Sequence, residues 1–486
     1  MKRKLYTFLV CLAGCLVSSS CSDWFDVSPS TDVPAEELFE TEQGFQSALA
    51  GIYIGMTDTQ AYGDNLSFGM LDQLAQLYDV LPDGAGSTDD IYNYETTTNM
   101  GYNTKGRLAG TWTQAYKMIA NANNLLKWLD LNGERVILSP ETRDMMRGEA
   151  LAIRAYIHFD LLRGWGPMNY QGSEEAKTAK TIPYRTVADN SKQPLLQAQT
   201  VLGKIVDDLD AAKQLLSFES GISLSDYGSK DRRFRFNYHA INATLARVYC
   251  YMGEKEKAIE CAQDVIDHCG LELQESNSED PVLSNEMICG LYMYKMQETL
   301  SSRWADGDKL TSQYYSNGDT FTKIFDNLSS MTSESEDMRA KSSAFIRYTS
   351  ENKVQSRKYI KNDNGAIPLI RLPEMYYIIC AMTSPDDDAC SDAINAVRRK
   401  RGYSSDTDEH ITTASERELA LSKEYRKEFY AEGQYFFFLK QHPSVPMEHY
   451  DNRTLNSTQF IFPLPDAEKE YGWTPEEDNG QTDQQE

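Results

Sequence analysis

The stretch from Ser139 to Arg163 constrains the fold more than any other part of the chain. Ser139 is an N-cap residue, Pro140 suits a first helical turn, and Gly164 to Pro167 end the run. Met146, Ala150, Ile153, Ile157 and Leu161 recur at spacings of four, three, four and four, which gives one apolar helical face. The same period predicts helices at 41–56, 66–81, 106–131, 195–216, 238–252, 254–268, 370–382, 386–401 and 414–441. Strand signals are few, so the predicted class is mostly α with long irregular inserts and a few short β-hairpins. Irregular, Gly/Asn/Asp/Ser-rich segments lie at 82–105, 164–194, 217–237, 270–365 and 442–486. The longest, 270–365, exceeds ordinary loop length and predicts a small subdomain or a functional insert.

Residues 238–252 and 254–268 form a helix pair broken at Gly253. Leu245-Ala246-Arg247-Val248-Tyr249, Gly253 and Lys257-Ala258-Ile259 read like one tetratricopeptide (TPR) repeat. The small alanines let two helices approach closely. TPR-like helices are expected within about 41–268 and 370–441.

The first twenty residues read as a signal rather than as part of the fold. Lys2-Arg3-Lys4 is a positive n-region, and Leu5 to Val17 is an uncharged run too short to span a bilayer. Small residues then precede a cysteine, as in a lipoprotein signal. Leu12-Ala13-Gly14-Cys15 fits the usual lipobox more closely. Cys21 has the longer apolar segment ahead of it and polar sequence behind it, and it is the expected lipidation site, with 21–486 as the mature domain. A plain secreted product is the alternative. Cys250, Cys261, Cys269, Cys289, Cys380 and Cys390 remain in that domain. Export permits disulfides, yet several of them sit within amphipathic patterns and none has zinc-site spacing, so they read as buried free thiols.

The formal charge of −25 excludes a general nucleic-acid binder and disfavours electrostatic adhesion to an anionic membrane. Motifs for hydrolases, zinc proteases, calcium loops and dinucleotide binding are missing, so neither a catalytic site, a cofactor nor a metal is expected. Gly101 to Gly106 has phosphate-loop spacing, but Arg107 stands where lysine is needed. Asp386-Asp387-Asp388 reads as acids at a helix start.

Several motifs stand in order along the chain. Near the start stand Cys21-Ser22-Asp23-Trp24-Phe25-Asp26-Val27-Ser28-Pro29, Phe39, Thr41-Glu42 and Ala48 to Tyr53. The most specific motif is Arg147-Gly148-Glu149-Ala150 through Arg154-Ala155-Tyr156, Phe159, Leu161, Arg163 and Trp165-Gly166-Pro167. Arg371-Leu372-Pro373-Glu374-Met375-Tyr376, Asn395 to Gly402, and Glu424, Arg426, Glu428, Glu432-Gly433 and Leu439-Lys440 continue it. In this order the motifs resemble the SusD/RagB family of outer-membrane nutrient-uptake lipoproteins, with departures at Pro373 for a small residue, Phe438 for the common Asp, and degraded elements after Phe462-Pro463-Leu464-Pro465. The motif charges read as structural ion pairs, with Glu374, Glu424 or Glu432 as expected partners of Arg154 and Arg163.

The resemblance implies a TPR-containing helical scaffold. It further implies a lipid-anchored protein on the outer membrane that faces the exterior. Such a protein captures an oligosaccharide, or less often a peptide, and closes over a SusC-like TonB-dependent β-barrel transporter. A TPR-type scaffold without a small ligand and a secreted hydrolase are the rival readings. Chemistry alone selects the expected ligand residues, because the family's binding positions lie in variable inserts. The first insert offers Tyr92, Tyr94 and Tyr102 with Asp89, Asp90 and Asn93. The second offers Tyr292, Tyr294, Trp304, Tyr314 and Tyr315 near Asp306 and Asp308. Tyr292 and Tyr294 alternate as in a strand and are expected on one side. Trp304, with the largest flat face, is the expected stacking platform.

Overall fold

The computed structural model describes residues 34–79, 91, 92, 94, 104–226, 230–275, 280–304, 314–326, 328–333, 335–360 and 364–471. Cys15, Cys21, Asp89, Asp90, Asn93, Tyr102, Asp306 and Asp308 lie outside the described residues. The longer helices are α1 (Glu42–Met56), α2 (Thr104–Trp128), α3 (Pro140–Trp165), α4 (Ala198–Leu215), α5 (Tyr238–Met252) and α6 (Lys255–His268). They are followed by α7 (Leu372–Met382), α8 (Asp388–Lys400), α9 (Ala414–Glu428) and α10 (Gln434–Gln441).

Local chemistry accounts for the boundaries. The Ser139 hydroxyl accepts from the Thr142 amide and Pro140 opens α3. Gly148 lets α4 lie close on α3, since a Cβ there would sit 1.9 Å from Leu216 Cδ1. Gly253 ends α5 at φ +81°, and α6 folds back against α5 as an antiparallel hairpin. The Asp387 carboxylate caps α8 through the Ala389 amide.

Two helix expectations are corrected. Among the described residues of 66–81 only Met70–Leu74 is α-helical, because turns surround it and Gln76 takes φ +57°. The expected helix at 414–441 is two helices, α9 and α10. They separate at Gly433 (φ +75°), whose amide donates to Asp72 Oδ1 at 3.0 Å and where a Cβ would lie 2.4 Å from the Ser67 carbonyl oxygen.

The strands are β1 (Met287–Tyr292), β2 (Ser316–Asn317), β3 (Phe345–Tyr348), β4 (Lys353–Ser356) and β5 (Ala366–Arg371). β1 pairs antiparallel with β5, from Met287 opposite Arg371 to Tyr292 opposite Ala366. β2, β4 and β3 form a small sheet in that order, and β3–β4 is a hairpin. The long insert is therefore a subdomain of short strands and turns laid on a helical scaffold.

Most motif charges are buried and paired, but with other partners than expected; Arg399 and Lys400 are exposed, and buried Lys440 donates to the Gly164 carbonyl. Arg154 forms a two-pronged pair with Asp208 (2.7 Å), and Arg163 pairs with Asp160 one turn away. Glu374 takes Arg247 (2.6 Å). Glu428 accepts from Arg371 (2.7 Å), Arg339 (2.9 Å) and Arg401 (2.9 Å). Glu424 pairs with Arg339 and Lys427, both at 2.8 Å, and Glu432 takes Lys358 (2.5 Å) and Arg371 (2.9 Å). Arg163 thus finds its partner on α3 itself, whereas Arg154 finds one on α4 and Glu374 one on α5, and no periodicity within one helix specifies such cross-element pairs.

Candidate functional site

Within the second insert, β1 and the two residues after it bring two tyrosines to the surface. β1 is buried from Met287 to Leu291, and alternation begins at its end: Tyr292 is 55% exposed, Met293 is buried, and Tyr294 is 71% exposed. The backbone beneath them is held by the Met293 amide, which donates to the Gly365 carbonyl at 2.8 Å. Gly365 has φ +60°, and a Cβ there would come within 3.0 Å of the Tyr292 ring. Phe234 meets Tyr292 edge-on at 5.9 Å, and Lys295 Nζ lies 5.8 Å from the Tyr294 ring centroid. Polar groups neighbour this ledge. Arg233 donates to the Ser284 carbonyl (3.0 Å), and Asn364 reaches Ser284 Oγ (3.5 Å). Two aromatic faces beside amide, hydroxyl and guanidinium groups suit a ligand with apolar faces and hydroxyl edges.

Trp304 does not stand where a platform must. It is 2% exposed and packs among Tyr359 (5.5 Å), Tyr314 (5.6 Å), Phe68 and Tyr78 (both 6.0 Å). A large apolar ring on an insert that folds back is removed from water like any core residue. Tyr314 and Tyr315 are buried too. The Tyr314 hydroxyl donates to Asp64 Oδ1 (2.9 Å) and accepts from Arg107 (3.1 Å), which also donates to Asn65 (2.8 Å) and Gln73 (2.6 Å). Arg107, noted in the sequence for its place after Gly106, is thus a clamp that ties α2 and the Asn65–Gln73 segment to the second insert. Tyr315 offers its carbonyl to the Asp79 amide (2.9 Å), and burial pushes its hydroxyl pKa up to about 12. Buried Asp72, beneath this cluster, accepts from Gly433, and burial pushes its carboxyl up to about 8. These groups fix the position of the second insert.

Tyr92 and Tyr94 are both 8% exposed and line a cleft of about 350 Å³. Its other walls include Lys105, Leu108, Thr458, Pro463, Asp466 and Lys469. The Tyr94 hydroxyl donates to the Gln459 carbonyl (2.8 Å), and Gln76 donates to the Tyr92 hydroxyl (3.0 Å). Lys105 and Asp466 form an ion pair at 2.6 Å on the rim. This cleft has no lining residue from the second insert, so the described tyrosines fall into two places. The C-terminal wall was missed, although Phe462-Pro463-Leu464-Pro465 marked a rigid segment able to form one.

Among the described residues no cluster of His, Cys, Asp and Glu is arranged to hold a metal ion, and no helix is long and apolar enough to cross a membrane.

Fold and inserts together describe a helical scaffold that carries aromatic-bearing surfaces on its inserts. The chain belongs to the SusD/RagB family. A family model described as starch-binding and associating with the outer membrane matches residues 23–250, and the SusD family model matches residues 241–441. A SusD-like protein of Bacteroides ovatus is 25% identical over 296 residues, which cover 58% of this chain and 47% of that one. A SusD-like protein of Formosa agariphila is 25% identical over 255 residues, 52% of this chain and 43% of that one. The match thus spans about half the length of these curated relatives. A SusD superfamily structure from Bacteroides thetaiotaomicron superposes with TM-score 0.68 at 20% identity, covering 88% of this chain and 98% of that one. A SusD-like carbohydrate-binding protein from Bacteroides vulgatus gives 0.65 at 17%, covering 89% and 96%. A laminarin-binding SusD-like protein gives 0.63 at 16%, covering 89% and 98%.

Proposed function

We propose that this chain is a cell-surface lipoprotein, anchored through Cys21, which captures an oligosaccharide and delivers it to a SusC-like TonB-dependent β-barrel in the outer membrane. It performs no chemistry on the glycan. The observation that carries this reading is the Tyr292–Tyr294 ledge, two exposed rings on a pinned strand end in a chain of this family. The laminarin-binding and carbohydrate-binding relatives support a glycan as cargo. The acyl-bearing Cys21 places the ledge outside the membrane, where more than one chain gives stable anchoring.

Each sugar–aromatic contact contributes on the order of 1 kcal/mol. Replacing both Tyr292 and Tyr294 by alanine therefore removes about 2 kcal/mol, or roughly thirtyfold in affinity. Calorimetry of the wild type against a panel of neutral oligosaccharides and short peptides identifies a cargo, and the double variant is then titrated with it. Unchanged glycan affinity overturns the ledge assignment. Binding of peptides and of no glycan makes the cargo a peptide, and hydrolysis of a bound glycan overturns the non-enzymatic reading.

A further inference from the structure

Helices α7 and α8 pack as a hairpin and bring two cysteines together. Cys380 lies in the last turn of α7 and Cys390 in the first turn of α8, with their Sγ atoms 3.3 Å apart. Both are fully buried. Cys250, Cys261, Cys269 and Cys289, the other four cysteines among the described residues, are also free. A disulfide needs about 2.05 Å between sulfurs, and side-chain rotation on a short hairpin closes such a gap.

We propose that Cys380 and Cys390 are an oxidation site, closed into an intrachain disulfide in the exported protein by exchange with a disulfide donor of the thiol–disulfide oxidoreductase or oxidised-glutathione class. The surroundings favour Cys390 as the attacking sulfur. It sits at a helix start, where free amides favour a thiolate, and the hydrogen bond from the Cys380 thiol, aided by the charge of Arg417, lowers its pKa against burial. The Cys390 thiolate attacks one donor sulfur, and the donor S–S bond breaks to leave a mixed disulfide and one donor thiolate. Cys380 then gives up its proton and attacks the Cys390 sulfur, expelling the second donor thiolate. Two electrons pass to the donor, and the protons of the two cysteines end on its thiols. Since both sulfurs are buried in the folded hairpin, exchange takes place before α7 and α8 close or while they are transiently apart.

The bond would tie α7, which carries Glu374, to α8, which carries Arg398. It thereby fixes two elements of the buried ion network. The proposal rests on export, because a reducing cytoplasm would keep the pair as thiols.

The test uses the full chain recovered from the outer-membrane fraction, denatured in iodoacetamide without reductant and digested with trypsin. Both cysteines fall in the single tryptic peptide Leu372–Arg398. The expected result is that peptide unalkylated and two hydrogen masses light, with Cys250, Cys261, Cys269 and Cys289 alkylated. In the Cys380→Ser variant Cys390 becomes alkylated. An N-terminal peptide mass from the same sample reports lipidation, so the two readings fail separately. A lipidated chain whose Leu372–Arg398 peptide takes up two alkyl groups, or one with a bond to another cysteine, overturns the disulfide. If the chain lacks a lipid, it is unfolded and refolded with oxidised glutathione, and uptake of two alkyl groups there overturns the pairing.

Discussion

Replacing Trp304 by alanine separates a core residue from a ligand platform. The indole is 2% exposed, with four aromatic rings centred 5.5–6.0 Å away. A side chain of this size buries about 150–250 Å². At about 25 cal/mol per Å² its burial contributes roughly 4–6 kcal/mol. Measured truncations of buried Phe and Trp cost about 3–5 kcal/mol. One term acts the other way: among the described residues the indole N–H has no acceptor, and removing an unsatisfied donor returns about 1–3 kcal/mol. The net loss is therefore about 3 kcal/mol. With an unfolding entropy of roughly 2 cal/mol/K per residue, a chain of 486 residues loses about 1 kcal/mol per degree near its Tm. Scanning calorimetry should show a Tm lower by about 3 °C, and a urea midpoint shift should agree. The affinity of the folded variant for the cargo identified by calorimetry should stay within about twofold, because the ring meets no solvent. A Tm unchanged within error together with a tenfold loss of affinity would refute this reasoning and restore Trp304 as a binding residue.

Two further outcomes follow from buried charge. Burial alone raises the Glu428 carboxyl, but Arg401, Arg371 and Arg339 outweigh it and hold it well below its ordinary value of 4.5. Stability from this group is complete above about pH 4.5 and is lost as pH falls below it. Glu428→Gln leaves three arginines short of charge and should cost about 3–5 kcal/mol at pH 7. Its pH–Tm curve should be flatter on the acid side than that of the wild type, and parallel curves would count against the network. Asp72 has the opposite sign: its carboxyl lies near 8 when folded and 3.8 otherwise, chiefly from burial, so stability is complete below about pH 4 and declines as pH rises towards 8. Asp72→Asn keeps an acceptor for the Gly433 amide, and its Tm relative to the wild type should rise from pH 5 to pH 8. A constant difference would show that Asp72 is ionised throughout.

Helices were legible where one element carries its own signal. Ser139, Pro140 and Gly253 mark the ends of α3 and α5 because caps and breaks are local chemistry. Cross-element facts were not legible in this way. Arg154 finds Asp208 on α4, and Glu428 gathers arginines from three separate segments. At the candidate site, the spacing of two put Tyr292 and Tyr294 on one side, and both are exposed at the end of a strand that is otherwise buried from Met287 to Leu291. Trp304 failed because a ring's composition and loop context say nothing of which way the loop folds. Here the Arg107–Tyr314 clamp and the Phe68–Tyr359 pair draw it inward.

The placement of charge also bears on which glycans the ledge can accept. Five buried cations, Arg339, Arg371, Arg401, Arg426 and Lys427, are paired with carboxylates inside the fold, whereas buried Lys440 donates to the Gly164 carbonyl and burial lowers its pKa. Those pairs nearly cancel, so the formal −25 resides chiefly on the surface. Around the ledge, Lys295 is engaged by Glu298 at 3.2 Å and the Arg233 guanidinium feels the charge of Asp280, which leaves little local excess of positive charge. A surface of this sign repels sulfated or uronate-rich polymers over a Debye length of about 10 Å at 0.1 M salt. Stacking on tyrosine faces is indifferent to salt. The chain should therefore favour neutral glycans, with an affinity that stays flat between about 20 mM and 500 mM NaCl. Affinity electrophoresis in dextran and in dextran sulfate checks the contrast on one backbone. Dextran sulfate should not retard the protein at low salt more than neutral dextran does, and any difference should shrink as salt rises. Tighter, salt-sensitive binding to the sulfated polymer would mean that a basic patch, rather than the tyrosine ledge, selects the cargo.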